Sequence, residues 1–118
     1  MAITTNVFNL GFTRGDTVIH KITVKNSDET VKDITGATVK YTIRSGNFAG
    51  TQVLQKTTTA GISLTTPTGG VLEVTLTAVD TAALDPNVGY VYDCEVILSG
   101  QTQTVQTGAI SLTGDVSY

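Results

Sequence analysis

The chain has 118 residues, a net charge of −3 and only 14% charged residues, well below the usual quarter or so. Its basic residues (Arg14, Lys21, Lys25, Lys32, Lys40, Arg44 and Lys56) are scattered, which argues against nucleic-acid binding by phosphate neutralisation. A lone cysteine, Cys94, excludes an intrachain disulfide and a cysteine-rich metal site, and no apolar run reaches the roughly 20 residues of a membrane helix.

This length has room for one domain, residues 1–118, around one core. Threonine, with 23 residues, fills the space that charges usually occupy. Its β-branched side chain favours strands, and its hydroxyl keeps an exposed strand face hydrated without charge. Such a surface suits a protein that packs against neighbours. The opening MAITTNVFNLGF has neither a basic start nor a long apolar segment. No secretory signal is expected, and the protein is expected to be made in the cytoplasm and to stay soluble there.

In chain order, residues 1–6 carry no charged side chain and are expected to form a flexible or docking arm. Residues 7–12 can pair as a first, edge-like strand, and Arg14-Gly15-Asp16 is a turn. Residues 16–25 alternate, with Val18, His20, Ile22 and Val24 on one face and Ile19, Lys21, Thr23 and Lys25 on the other. His20 therefore falls on the core face or at its rim, as a neutral imidazole with one nitrogen satisfied. Residues 26–30, NSDET, form a turn cluster. Asp33 and Thr35 can bond local backbone, and Gly36 is expected at positive φ. Residues 38–45 alternate most cleanly: Val39, Tyr41 and Ile43 point in, and Lys40, Thr42 and Arg44 point out. Residues 51–59 read as a polar edge strand, 61–65 as a short strand and 66–70, TPTGG, as a turn. Residues 71–77 alternate again, with Leu72, Val74 and Leu76 inward.

A polar turn with Asp80, Asp85, Pro86, Asn87 and Gly89 then runs into an alternating strand over 90–98. Tyr90, Tyr92, Cys94, Val96 and Leu98 share its inner face, while Val91 and Ile97 lie on the outer one. Asp80 or Thr81 can cap one helical turn ending near Leu84. Tyr92 stands two residues before Cys94, just past the corner. That is the layout of the tyrosine corner in immunoglobulin-like sandwiches, where a buried phenol bonds back to the preceding loop. Asp80, Tyr92 and Cys94 are thus expected to build a structural corner, with the Tyr92 hydroxyl bonded to backbone within 78–89. Ser99-Gly100 is a tight hairpin, 101–107 return antiparallel, and Gly108 is expected at a bulge because the apolar parity shifts between Val105 and Ile110. The pattern is all-β: an immunoglobulin-like antiparallel β-sandwich of about seven or eight strands.

No Ser–His–acid arrangement, phosphate-cradling glycine motif or metal-ligand spacing stands out. Asp80, Asp85 and Asp93 are close along the chain. Glycoside hydrolysis by a carboxylate pair needs a deep cleft, and the spacing matches no calcium loop, so for Asp80 and Asp85 turn and cap duties are the simpler reading. Cys94 is expected to act as a small buried apolar residue. No catalytic, cofactor-binding or metal-binding residue is assigned, and no enzymatic activity is expected.

Three segments in order carry a resemblance. They are Arg14-Gly15-Asp16-Thr17; Asp33-Ile34-Thr35-Gly36-Ala37-Thr38-Val39 with Tyr41-Thr42-Ile43-Arg44; and Asp80-Thr81-Ala82-Ala83-Leu84 with Gly89-Tyr90-Val91-Tyr92-Asp93. Together they resemble the immunoglobulin-like N-terminal domain of the baseplate upper protein of tailed phages, and small stand-alone phage proteins of the same pattern. The resemblance implies a non-enzymatic virion component, made in the host cytoplasm, that docks on other virion subunits and recurs as a homo-oligomer in the particle. It implies neither nucleic-acid nor membrane partners, and no cofactor. No receptor-binding or fibre-forming segment follows Tyr118, so docking is the expected function. Capsid decoration (a cement protein) is favoured over a tail or baseplate adaptor. The rival of another class is a host-surface carbohydrate-binding module, for which Phe12, Phe48 and Tyr118 are the candidate exposed aromatics. Candidate interface residues are Ile3 and Asn6 in the arm and Ile19, Val91 and Ile97 on outward strand faces.

Overall fold

In a computed structural model, which describes residues 6–26, 28–47 and 49–113, nine strands form two packed sheets. The larger sheet holds β1 (Asn6–Val7), β2 (Leu10–Thr13), β4 (Thr38–Ser45), β5 (Gln52–Thr57), β8 (Tyr90–Leu98) and β9 (Gln101–Thr113). Its order is β1-β9-β8-β4-β5, and β2 also pairs with β9. The smaller sheet is β3 (Val18–Thr23), β7 (Val71–Leu76) and β6 (Ile62–Thr66), in the order β3-β7-β6. A 3₁₀ turn, Pro67–Gly69, leads into β7, and one helix, α1 (Ala78–Ala82), links β7 to β8. The protein is an all-β sandwich, as the alternation predicts.

The alternating residues meet between the sheets. The larger sheet contributes Val39, Tyr41 and Ile43 from β4, Tyr90, Tyr92, Cys94 and Val96 from β8, and Val105 and Ile110 from β9. Facing them are His20 and Ile22 of β3, Ile62 of β6, and Leu72, Val74 and Leu76 of β7. Val24, Ile34 and Leu84, all buried, close the ends from outside the strands. Each such aliphatic side chain contributes about 1.5–3 kcal/mol by leaving water, so the loop residues weigh as much as those in the strands. Ile34 is held there by its backbone N–H, which donates to Pro67 O, while Asp33 accepts from the N–H and hydroxyl of Thr35 in a local turn. Gly36 follows at φ +81°, as the sequence predicts.

Four features depart from the sequence reading. First, the opening strand is split into β1 and β2, and both run parallel to β9, whereas the other strand pairs described are antiparallel. Second, Asn6 is not part of a free arm: it pairs with Gln106 in β1, and residues 1–5, Ile3 included, lie outside the described residues. Third, the bulge falls at Val105 rather than Gly108. Cys94 pairs with Gln106 and Glu95 with Thr104, leaving Val105 as the extra residue, and Val105 and Gln106 thereby both turn inward. Gly108 instead sits opposite Tyr92 in regular ladder, and β9 continues to Thr113. Fourth, Thr42 is buried although its parity points it out of the sandwich. Gln55 of β5 folds over it and donates to its hydroxyl at 3.0 Å.

The hairpin between β8 and β9 follows the sequence signal. Ser99 and Gly100 take φ values of 53° and 77°, the paired positive φ of a two-residue turn whose twist matches the strands.

Candidate functional site

The corner before β8 is held by a dense set of side-chain bonds. Thr77, rather than Asp80 or Thr81, is the N-cap of α1: its hydroxyl accepts from Asp80 N, and Asp80 Oδ2 accepts from Thr77 N at 2.9 Å. This reciprocal capping box needs a hydroxyl and an acid three residues apart, and Thr77 with Asp80 meets that spacing. Asp80 also pairs with Lys56 of β5 at 2.6 Å, tying the helix to the edge of the larger sheet. Burial pushes the Asp80 carboxyl up, but the hydrogen bonds from Lys56 and from Thr77 outweigh it and hold the group below the ordinary carboxylate value.

Thr81 does more than its place in a turn predicts. It is fully buried, its hydroxyl accepts from Gly15 N at 3.0 Å, and it donates to Asp16 O at 2.7 Å. Arg14 Nε donates to Leu84 O at 3.1 Å. The turn after β2 is thereby stitched to α1 and the residues just after it by three bonds, each linking residues more than sixty positions apart.

The tyrosine corner is displaced by one step. Tyr92 is buried, but its hydroxyl does not reach residues 78–89. It donates to Phe8 O at 2.6 Å, with Gln106 Oε1 at 3.1 Å. A phenol has one proton, and the shorter contact takes most of it. The bond back to the preceding loop is made by Tyr90, whose hydroxyl accepts from Asp85 N at 2.9 Å. The reason is reach: Tyr90 is the first residue of β8 and lies next to the loop, whereas Tyr92 is two residues deeper and faces β9 and the segment that crosses it.

Behind Tyr92 lies a polar–aromatic cluster. Its ring stacks on Tyr41 with centroids 5.1 Å apart and planes 18° from parallel. The His20 ring stands edge-on to both, at 5.7 Å from Tyr41 and 5.4 Å from Tyr92, with its Nδ1 3.1 Å from the Tyr41 hydroxyl. His20 Nε2 is buried and has no hydrogen-bond partner among the described residues. Phe8 covers the imidazole from outside, 5.8 Å away. Burial raises both phenols well above their ordinary pKa, so each stays neutral.

Cys94 completes this inner face and is fully buried, with its thiol pushed up to about 12 by burial and then by Asp93 and Glu95. A nucleophilic cysteine needs the opposite environment. A thiol reagent near neutral pH is therefore expected to modify the native protein slowly and the denatured protein fast. Rapid labelling of the native form would overturn this placement.

The three acids that lie close along the chain take separate tasks. Asp80 belongs to the capping box, Asp85 accepts from Asn87 N in a local turn, and Asp93 lies on the outer face of β8 between Thr42 and Thr107. Among the described residues, no three His, Cys, Asp or Glu side chains gather as a metal site would require. A polar notch of about 290 Å³ opens between the sheets, lined by Asn6, Thr23, Lys25, Asn26, Glu29 and Gln106.

The interface residues do not form one patch. Ile19 is 61% exposed, but on the outer face of the smaller sheet. Val91 and Ile97 are only partly exposed and belong to the larger sheet, whose outer face looks the other way. Within β8 the two are separated by outward Asp93 and Glu95, so even they are not contiguous. Parity tells inside from outside, but not which sheet a strand joins. The sequence reading also misses the most exposed large apolar residues among those described, Val79 at 80% and Val7 at 77%. Val79 lies on the single helical turn, where a two-residue period carries no information.

The fold defines the class: an all-β sandwich with a tightly stitched corner and a buried aromatic–imidazole cluster. Protein-family models give no match to this chain, and curated proteins give none either.

Proposed function

We propose that the protein is a non-enzymatic structural component of a tailed-phage virion that docks on other virion subunits, with capsid decoration favoured and a tail or baseplate adaptor as the runner-up. The observation that carries this reading is the meeting in space of the three segments that bear the resemblance. The 14–17 turn is bonded to the 80–84 segment, which carries the end of α1, through Thr81 and Arg14. The strand ending the middle segment, β4, pairs Arg44 with Val91 and Ser45 with Tyr90 in the last. Motifs far apart in sequence thus build one corner, which supports reading them as one inherited unit rather than as separate chance matches. The strand order supports the immunoglobulin-like form of the sandwich. Lettered in chain order from A′ (β1 and β2) to G, the sheets run B-E-D and A′-G-F-C-C′.

Docking on like or unlike subunits suits the open strand edges. β3 and β6 bound the smaller sheet and β5 bounds the larger, and an added strand gains main-chain hydrogen bonds at such an edge. Sugar binding draws less support, because Tyr41, Tyr90 and Tyr92 are buried and Phe12 is half-buried against the core. Phe48 and Tyr118 lie outside the described residues.

Imaging purified particles with this protein labelled tests the reading. Signal over the head shell supports decoration, signal at the tail supports the adaptor, and absence from purified virions removes both. A truncation of residues 2–5 stops short of Asn6 and keeps β1 intact. It is expected to change stability by less than about 0.5 kcal/mol and to lower occupancy on the particle. Full occupancy by the truncated chain would take the arm out of the docking surface.

A further inference from the structure

His20 is the only histidine, and nothing in the docking reading uses it. It is 5% exposed and lies under the Phe8 ring of residues 6–9. Residues 6–9 are attached by the two-residue strand β1, by Phe8 N donating to Thr107 O, and by Asn9 Oδ1 accepting from Ala109 N. Two contacts from the core side add to these. The Tyr92 hydroxyl reaches out to Phe8 O, and the Phe8 ring rests on the imidazole. The Phe8 carbonyl also lies flat on Gly108, where any Cβ would collide with it.

We propose that Phe8, His20 and Tyr92 form an acid-sensitive clasp: neutral His20 keeps residues 6–9 seated on β9, and its protonation releases that segment while the two sheets stay paired.

The hydrogen-bond count carries the argument. A neutral imidazole has one donor and one acceptor, and the Tyr41 hydroxyl serves whichever of these sits at Nδ1. An imidazolium has two donors. Tyr41 can accept one, but Nε2 is buried and makes no well-formed hydrogen bond, with the Gln106 side chain as its one polar neighbour among the described residues. Gln106 already sits against the Tyr92 hydroxyl, and its interaction with the imidazole offsets the cost of burial only in part.

No facing group compensates the charge. From β4 and β8 the ring meets the Tyr41 and Tyr92 phenols, with the Cys94 thiol beside them, and all three are held neutral by burial. β9 offers the neutral Gln106, β7 places Val74 opposite His20, and the outer cover is Phe8. Lys25 and Glu29, with opposite signs, line the notch on the outer side of Gln106.

Burial accordingly lowers the His20 pKa below its ordinary value, and the Gln106 side chain opposes this only in part. A histidine with a lowered folded-state pKa costs nothing above its free value of about 6.5. The cost grows as pH falls below that value and levels off once the pH passes the lowered one. Water reaches the ring most cheaply by peeling back residues 6–9, because β3, β4 and β8 are each fixed in longer ladders.

The test is amide hydrogen exchange on the whole protein at about pH 7.5 and about pH 5, expressed as protection relative to intrinsic rates. The amides of Phe8 and Ala109 are expected to lose roughly tenfold or more in protection at the lower pH, while those of Tyr41 and Tyr92 hold theirs. His20→Gln is expected to abolish the pH dependence. Unchanged protection at Phe8 and Ala109, equal loss in all strands, or the same pH dependence in the Gln variant would each overturn the clasp. Should that variant not fold, titration of the native His20 ring by NMR decides: a value well below about 6.5 is expected, and one at or above it refutes the proposal. The clasp stands or falls independently of the virion reading, since it is measured on the isolated protein.

Discussion

Replacing Tyr41 by alanine is expected to destabilise the protein by about 3–5 kcal/mol, the range for deleting a buried aromatic ring. Tyr41 is fully buried, stacks on Tyr92, stands edge-on to His20 and hydrogen-bonds the Nδ1 of that imidazole. The substitution therefore opens a cavity and strands a second buried polar atom. Tyr41→Phe separates the two effects. It keeps the stack and removes the hydroxyl, and should cost about 1–3 kcal/mol. Equilibrium urea denaturation measures both. If Tyr41→Ala moves the midpoint no further than Tyr41→Phe, the ring packing described above is wrong.

The second large effect is expected from Gly108→Ala. A Cβ at this position would collide with the Phe8 carbonyl oxygen and come within 3.0 Å of the Tyr92 ring. The obstacle is backbone on one side and a fully buried ring on the other, so neither gives way easily. Overpacking of this kind costs about 1–3 kcal/mol. The cheapest relief is to lift Phe8 off β9, which breaks its bonds to Thr107 and Tyr92. The variant should then lose protection at Phe8 and Ala109 already at neutral pH, in addition to the lower midpoint. A variant as stable as the parent, with Phe8 still protected, would show that the first segment does not pack there.

These two positions also mark where the sequence could and could not be read. Tyr41 is legible from the alternation over 38–45, and its burial follows. Gly108 was legible only as an irregularity, because the parity of β9 does shift nearby. The shift itself belongs to Val105, and the glycine answers a different demand, the close approach of a backbone from the other end of the chain. The corner behaves likewise. A phenol bonded to the preceding loop was foreseeable from the turn residues and the inward tyrosines, but choosing between Tyr90 and Tyr92 depends on which one β1 and β9 cover. Thr81 offered no signal beyond being a capping residue; its role exists only because Gly15 and Asp16 arrive beside it.

By itself, the sequence determined what is local. Side-chain alternation with a period of two places each residue on one face or the other, and turn chemistry marks where strands stop. That suffices for β4, β7 and β8, for the Ser99-Gly100 hairpin, for the inward His20 and Cys94, and for an all-β sandwich. Only the tertiary structure decided what joins distant segments: the parallel seating of β1 and β2 on β9, the assignment of Ile19 and Val91 to opposite sheets, and the carbonyl of Phe8 as the partner of Tyr92. Strand pairing joins generic backbone groups, so no residue names its partner strand. The choice is made by the whole core as it closes.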